Sequence, residues 1–193
     1  MKIGVFGGCF NPVHKAHMEI AKKLISEGYV DKVIFVPTGP NYDKEGLVLY
    51  EHRLKMLELM IKDDKDLLVS KIGSTEAGKF TYMVLDELSK LFDAKLYFIC
   101  GTDNLAEFNT WQNYEYILEN YGLLIIRRAN DDLKMILKKY IRFKSGIIVT
   151  DIKVDDISST IVRKSFGEGK KEEVKTYITT PVFDYILKHR LYI

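Results

Sequence analysis

Short apolar runs recur along the chain at Ile3–Phe6, Val33–Val36, Leu67–Ile72, Leu96–Ile99, Leu123–Ile126 and Ile147–Val149. Runs this short, apolar without alternation, read as strands buried on both faces, the pattern of a parallel sheet covered by helices on either side. Between them apolar positions recur at helical spacing near His17–Ser26, Tyr50–Ile61, Tyr82–Leu91, Tyr114–Asn120 and Leu133–Tyr140. After the last run the chain turns helical, near Ser159–Phe166, Lys171–Thr176 and Pro181–Lys188. The pattern predicts an α/β fold: a Rossmann-like doubly wound parallel sheet with a helical C-terminal portion, one domain over residues 1–193. No internal repeat, low-complexity tract or long linker interrupts it. Ligands of such sheets bind outside the carboxyl ends of the strands, where the strand order reverses. That places Gly7–His17 and Gly101–Asp103 at one rim.

Composition narrows the function classes. The 193 residues are 47% hydrophobic, enough to bury a full core. Lys and Arg number 29 against 27 Asp and Glu, a net charge of +2, so no global field favours nucleic acid or an acidic membrane. Basic pairs such as Lys138-Lys139 and Lys170-Lys171 read as solvated helix faces. No apolar run approaches the roughly 18 residues of a membrane span, and the N-terminus lacks a signal-peptide pattern, so a cytoplasmic chain is expected. The two cysteines, Cys9 and Cys100, lack metal-type spacing and fit a reducing compartment. Both follow strands expected to be neighbours, so they are expected as reduced thiols close together.

The candidate chemistry starts at residues 2–17. They read as a strand, a Gly7-Gly8 turn, an Asn11-Pro12 break and the start of a helix. Glycines admit a ligand close to the backbone, and a helix start offers N–H groups and a positive dipole end. His14 and His17 are spaced i, i+3 and share a face, where two imidazoles can donate to phosphate oxygens. A strand–turn–helix with two incidental histidines fits the same residues. At Ile157–Arg163, a serine N-cap precedes Ser159 and Thr160, whose hydroxyls and N–H groups gather at one point. Arg163 lies on their face and is a bidentate phosphate binder; a capped helix with a surface arginine is the plain alternative. Gly101-Thr102-Asp103 ends a strand with a carboxylate able to accept from ribose hydroxyls. Trp111, the one tryptophan, can stack on a ring or fill the edge of the core. Gly73–Lys79 has the Gly-x4-Gly-Lys spacing of a P-loop, but Phe80 stands where a Ser or Thr must hold Mg²⁺, so that reading is rejected.

Gly7-Gly8-x-Phe10-Asn11-Pro12-x-His14-x-x-His17 resembles the Gly-Gly-x-Phe-Asn/Asp-Pro-x-His-x-Gly-His signature of the nucleotidylyltransferase superfamily, departing at Ala16. Ile157-Ser158-Ser159-Thr160-x-x-Arg163 matches the second motif of that superfamily. Phe80-Thr81, Gly101-x-Asp103 with Trp111, and the closing Pro181–Tyr192 helix extend the likeness from Lys2 to Tyr192, nearest to the nicotinate-nucleotide adenylyltransferases. The resemblance implies transfer of the adenylyl group of ATP to nicotinate mononucleotide, giving deamido-NAD and pyrophosphate. Mg²⁺ would arrive with ATP, with no dedicated metal set. The catalytic groups so implied are His14, His17 and Arg163, the histidines on the α- and β-phosphates. Ser159, Thr160 and Arg163 would hold the β- and γ-phosphates. Gly7, Gly8 and Phe10 would shape the nucleotide floor, and Gly101 with Asp103 would border the ATP site. Lys44, Thr81, Trp111, Gln112 and Arg128 would face the acceptor. Asp43 stands where the family has the histidine of Pro-Pro-His-Lys, in the loop 37–46. His52, Arg53 and His189 are read as structural. Nicotinamide mononucleotide or phosphopantetheine as acceptor stays open, since Gln112 can bond a carboxylate or an amide. So does a non-catalytic nucleotide-binding descendant, kept alive by Ala16 and Asp43. A nucleic-acid-binding module is disfavoured by the balanced charge. The implied partners are ATP and a pyridine mononucleotide, with a homo-oligomer possible.

Overall fold

The computed structural model describes residues 1–127, 133–155 and 157–193. Six parallel strands form one sheet in the order β3-β2-β1-β4-β5-β6: β1 (Lys2–Gly8), β2 (Lys32–Pro37), β3 (Leu67–Val69), β4 (Lys95–Gly101), β5 (Gly122–Ile126) and β6 (Ile147–Val149). β1 pairs with β2 from Ile3 opposite Lys32 to Gly8 opposite Pro37, and with β4 from Lys2 opposite Lys95 to Phe6 opposite Ile99. The winding reverses between β1 and β4, so the crevice of a doubly wound sheet opens beyond Gly8 and Gly101.

Alternate residues of each strand feed two cores. On one face Val33, Phe35, Tyr97 and Ile99 pack against α1 (Lys15–Ser26), α2 (Tyr50–Ile61), α7 (Ser159–Gly167), α8 (Lys171–Tyr177) and α9 (Thr180–His189). On the other Ile3, Val5, Phe98 and Ile125 pack against α3 (Thr81–Leu91), α4 (Thr102–Glu107), α5 (Tyr114–Asn120) and α6 (Leu133–Lys138). Burial of this kind contributes about 1.5–3 kcal/mol for each large apolar side chain.

The elements depart from the sequence pattern in three places. β3 stops at Val69 and gives way to a tight turn at Ile72–Ser74, because Gly73 lies pressed against the end of β2. The α1 helix starts at Lys15, with His14 as its N-cap and His17 in its first turn. A helix not foreseen, α4, begins directly after Gly101.

Gly73 also accounts for the P-loop-like spacing. A Cβ on it would sit 1.9 Å from the Pro37 carbonyl oxygen, and a Cβ on Gly39 or Gly78 would sit 2.1 or 2.2 Å from the Gly73 carbonyl oxygen. These glycines are small because main chain packs on main chain at this corner. No helix of the described residues is long and apolar enough to cross a membrane.

Candidate active site

The segment after β1 turns sharply, with Phe10 at a φ of 48° and a cis Asn11–Pro12 bond, before α1 begins. The His14 backbone N–H donates to Nδ1 of His17 at 3.2 Å. A ring that accepts at Nδ1 carries its proton on Nε2, so Nε2–H is the donor His17 can offer a ligand. The two imidazoles stack with centroids 3.7 Å apart. Phe6 and Phe10 meet the His17 ring edge-on at 5.7 and 5.0 Å, which sets its plane. His14 is buried at 6% exposure, whereas His17 is half-buried.

The distant motif reaches this segment. Ser158 caps α7, accepting from the Ile161 N–H at 3.2 Å. The Ser159 hydroxyl donates to the Pro12 carbonyl at 2.8 Å, and Arg163 Nη1 donates to the Asn11 carbonyl at 2.8 Å. Arg163 Nη2 donates to the Thr160 hydroxyl at 3.3 Å. The guanidinium is therefore held in a fixed plane beside the histidine-bearing turn, with the α7 N-terminus next to it. Imidazole, guanidinium, hydroxyl and helix N–H groups are all donors to anions. Among the described residues no group of three or more His, Cys, Asp or Glu gathers as a metal set. This donor chemistry fits phosphate oxygens.

The remaining predicted residues distribute around the rim. Gly7 and Gly8 end β1; a Cβ on Gly7 would lie 2.9 Å from the Phe98 ring, and one on Gly8 3.2 Å from the Phe10 ring. Phe10 does not form an exposed floor: its ring is 2% exposed within the core, so what it supplies is backing for His17. Gly101 caps α4 and Asp103 lies in its first turn, exposed. Thr81 opens α3 on the opposite face, half-buried. Trp111 is half-buried, edge-on to Phe98 at 5.7 Å and tilted on Phe108 at 5.0 Å. Phe98 thus links the tryptophan to Gly7. Gln112 and Lys44 are exposed. Arg128 lies outside the described residues. Cys9 and Cys100 are both free thiols; burial, aided by the nearby Asp103 charge, pushes Cys100 up to about 12.

Three residues that the motifs did not single out as site groups hold the rim together. The Asn11 side chain donates to the Gly46 carbonyl at 2.8 Å, and its oxygen accepts from the Val48 N–H at 3.2 Å and from the Tyr192 hydroxyl at 2.7 Å. Burial raises the Tyr192 hydroxyl well above the ordinary tyrosine value and keeps it a donor. Arg53, read as structural, is 1% exposed on the inner face of α2, and burial lowers its pKa. Its signal in the sequence was a cation at helical spacing from Tyr50 and Leu57, on the stripe that faces the core.

With this geometry in view, comparison with known proteins gives concordant likenesses. The model of the cytidylyltransferase-like family matches residues 5–165. A protein of Carboxydothermus hydrogenoformans named probable nicotinate-nucleotide adenylyltransferase is 33% identical over 99% of this chain and 98% of its own length. One of the same name from Clostridium acetobutylicum is 33% identical over 100% of this chain and 99% of its own. In fold the chain resembles the solved Plasmodium falciparum nicotinic acid mononucleotide adenylyltransferase complexed with NaAD. There the TM-score is 0.82 at 24% identity, covering 99% of this chain and 97% of that one.

Proposed function

The chain belongs to the cytidylyltransferase-like family and, within it, groups with the nicotinate-nucleotide adenylyltransferases; from that premise we propose that it transfers the adenylyl group of ATP to nicotinate mononucleotide. The products are deamido-NAD and pyrophosphate. An oxygen of the mononucleotide phosphate attacks the α-phosphorus of ATP in line with the departing pyrophosphate. A new P–O bond forms as the α–β bridging P–O bond breaks, and the electron pair leaves on pyrophosphate. No side chain needs to act as nucleophile; positioning and charge stabilisation carry the reaction.

The observation that carries this reading is the pair of hydrogen bonds joining Ser159 and Arg163 to the Pro12 and Asn11 carbonyls, which sets the donors of both motifs beside one another. His17, through Nε2–H, and His14 stacked on it face the α- and β-phosphates. The Ser159–Thr160 start of α7, through its N–H groups, and Arg163 hold the β- and γ-phosphates. Gly7 and Gly8 pass under the nucleotide, and Gly101 and Asp103 border it. Thr81, Trp111, Gln112 and Lys44 face the acceptor. Mg²⁺ enters as part of the ATP substrate, screening the triphosphate charge. The test mixes the chain with ATP and Mg²⁺ and, separately, the acid and the amide mononucleotide. Pyrophosphate release with the acid form supports the reading; release only with the amide moves the acceptor, and release with neither refutes it.

A further inference from the structure

We propose that Arg53 is a positioning residue for the acceptor: its buried guanidinium ties both feet of the 38–48 loop to the end of β1 and so sets mononucleotide affinity. The proposal rests on the adenylyl-transfer reading and deepens it. A buried cation usually has a carboxylate beside it, because removing a charge from water is expensive. Arg53 is 1% exposed and has no ion pair among the described residues. Its donors go to main chain and one hydroxyl instead. Nε donates to the Val48 carbonyl at 3.1 Å, and Nη1 donates to the Cys9 carbonyl at 3.0 Å and the Thr38 hydroxyl at 3.1 Å. Nη2 reaches the Gly39 carbonyl at 3.5 Å. A planar fork is the one side chain that can satisfy acceptors in these several directions at once.

Those acceptors are not scattered. Cys9 ends the glycine turn of β1, Thr38 and Gly39 start the loop after β2, and Val48 ends it. Asn11 holds the second foot again, through Gly46 and Val48. Between the feet, residues 40–45 are exposed and span an open cavity of about 420 Å³ lined by Tyr42, Lys44, Val48, Glu51 and Arg53. Lys44 therefore rides on an unpacked arch whose two ends are fixed to the turn that leads to His14 and His17. Loosening the feet moves Lys44 and leaves the contacts of Ser159 and Arg163 in place.

The experiment compares Arg53→Lys and Thr38→Val with the parent full-length chain. Lysine keeps the charge and loses the fork, so KM for nicotinate mononucleotide should rise about tenfold, the scale of one lost charge-assisted hydrogen bond. KM for ATP and kcat should stay within about threefold. Thr38→Val removes one acceptor and should shift KM for the mononucleotide in the same direction by a smaller factor. Trypsin cleavage after Lys44, followed by mass, should speed up about tenfold in Arg53→Lys whatever the acceptor proves to be. Equal rises in both KM values, or loss of kcat with the mononucleotide KM unchanged, or cleavage at Lys44 unaltered, would overturn the proposal. If Arg53→Lys does not fold, Thr38→Val decides by the same split of constants. A parent chain inactive with the acid mononucleotide refutes the reaction and leaves the cleavage result to judge Arg53.

Discussion

Replacing Gly73 with alanine separates a packing glycine from a phosphate-binding one. The added Cβ would lie 1.9 Å from the Pro37 carbonyl oxygen and 3.6 Å from Cγ1 of Val36. A carbon and a carbonyl oxygen approach no closer than about 3.3 Å in ordinary contact, so the turn at 72–74 must lift from β2 by more than an ångström. It cannot lift alone, because Gly39 and Gly78 both lean on the Gly73 carbonyl. Overpacking of this kind costs on the order of 3 kcal/mol, which for a chain of this length lowers Tm by about 6–12 °C. Gly46→Ala is the control: φ is +70° and nothing lies within 4 Å of its Cβ, so only left-handed strain of about 1 kcal/mol is added, or about 2–4 °C. Thermal melting of the purified variants reads both. Gly73→Ala melting within about 2 °C of the parent, with KM for ATP raised instead, would refute the packing account and revive a nucleotide role.

His17→Ala should lower kcat by roughly 10²-fold, the usual loss for one transition-state donor, with Tm nearly unchanged; turnover near that of the parent would remove its role. Arg163→Ala should raise KM for ATP about tenfold or more, through loss of a charge-assisted contact, and unaltered ATP affinity would place its guanidinium elsewhere. Alkaline stability should fall from about pH 9, because the folded state raises the Cys100 thiol from 9.0 to about 12. Its neutral form is favoured by folding, so that stability is complete below pH 9 and is lost at up to about 1.4 kcal/mol per pH unit as pH rises toward 12. Tyr121, also raised to about 12 by burial and by donating to Asp86, adds to the loss above pH 10. Denaturant titrations of Cys100→Ala should show a flatter slope between about pH 9 and 10; an unchanged slope would exclude the thiol. Ala16→Gly, which restores the superfamily's residue, should not raise kcat, because the Ala16 methyl is already covered by protein at 3% exposure; a several-fold gain in the pyrophosphate assay would show that the methyl crowds the ligand.

The sheet was legible because strands buried on both faces leave unbroken apolar runs: Val33–Val36 and Leu123–Ile126 coincide with β2 and β5 to within two residues. β3 was overextended because apolar Ile72 was counted with the run Leu67–Val69 across polar Ser70 and Lys71, while Gly73, locked under Pro37, stops the pairing; no local preference records that contact. The α4 helix was invisible for another reason. It has six residues, with Thr102 and Leu105 buried, too few positions to reveal a period. In the site, histidine, serine and arginine were readable because their chemistry and spacing lie within single segments. Asn11, Arg53 and Tyr192 were not, since each acts largely on a backbone group of a remote loop or on a distant side chain, and a carbonyl oxygen has no signature in residue identity.

That asymmetry explains why the two motifs stand where they do. Ser159, Arg163 and Tyr192 come from the last third of the chain, and all three end on Asn11 or Pro12. The turn 10–12 cannot hold itself, since Phe10 adopts a left-handed φ and Pro12 has no N–H to donate. Its shape is held from outside, by the groups proposed to grip the triphosphate. Arg163 is thus fixed at two donors before substrate arrives and keeps further N–H groups of its five for an anion. Donors fixed in advance would cost no reorganisation as charge develops on a departing pyrophosphate, the condition for electrostatic stabilisation of the proposed transfer.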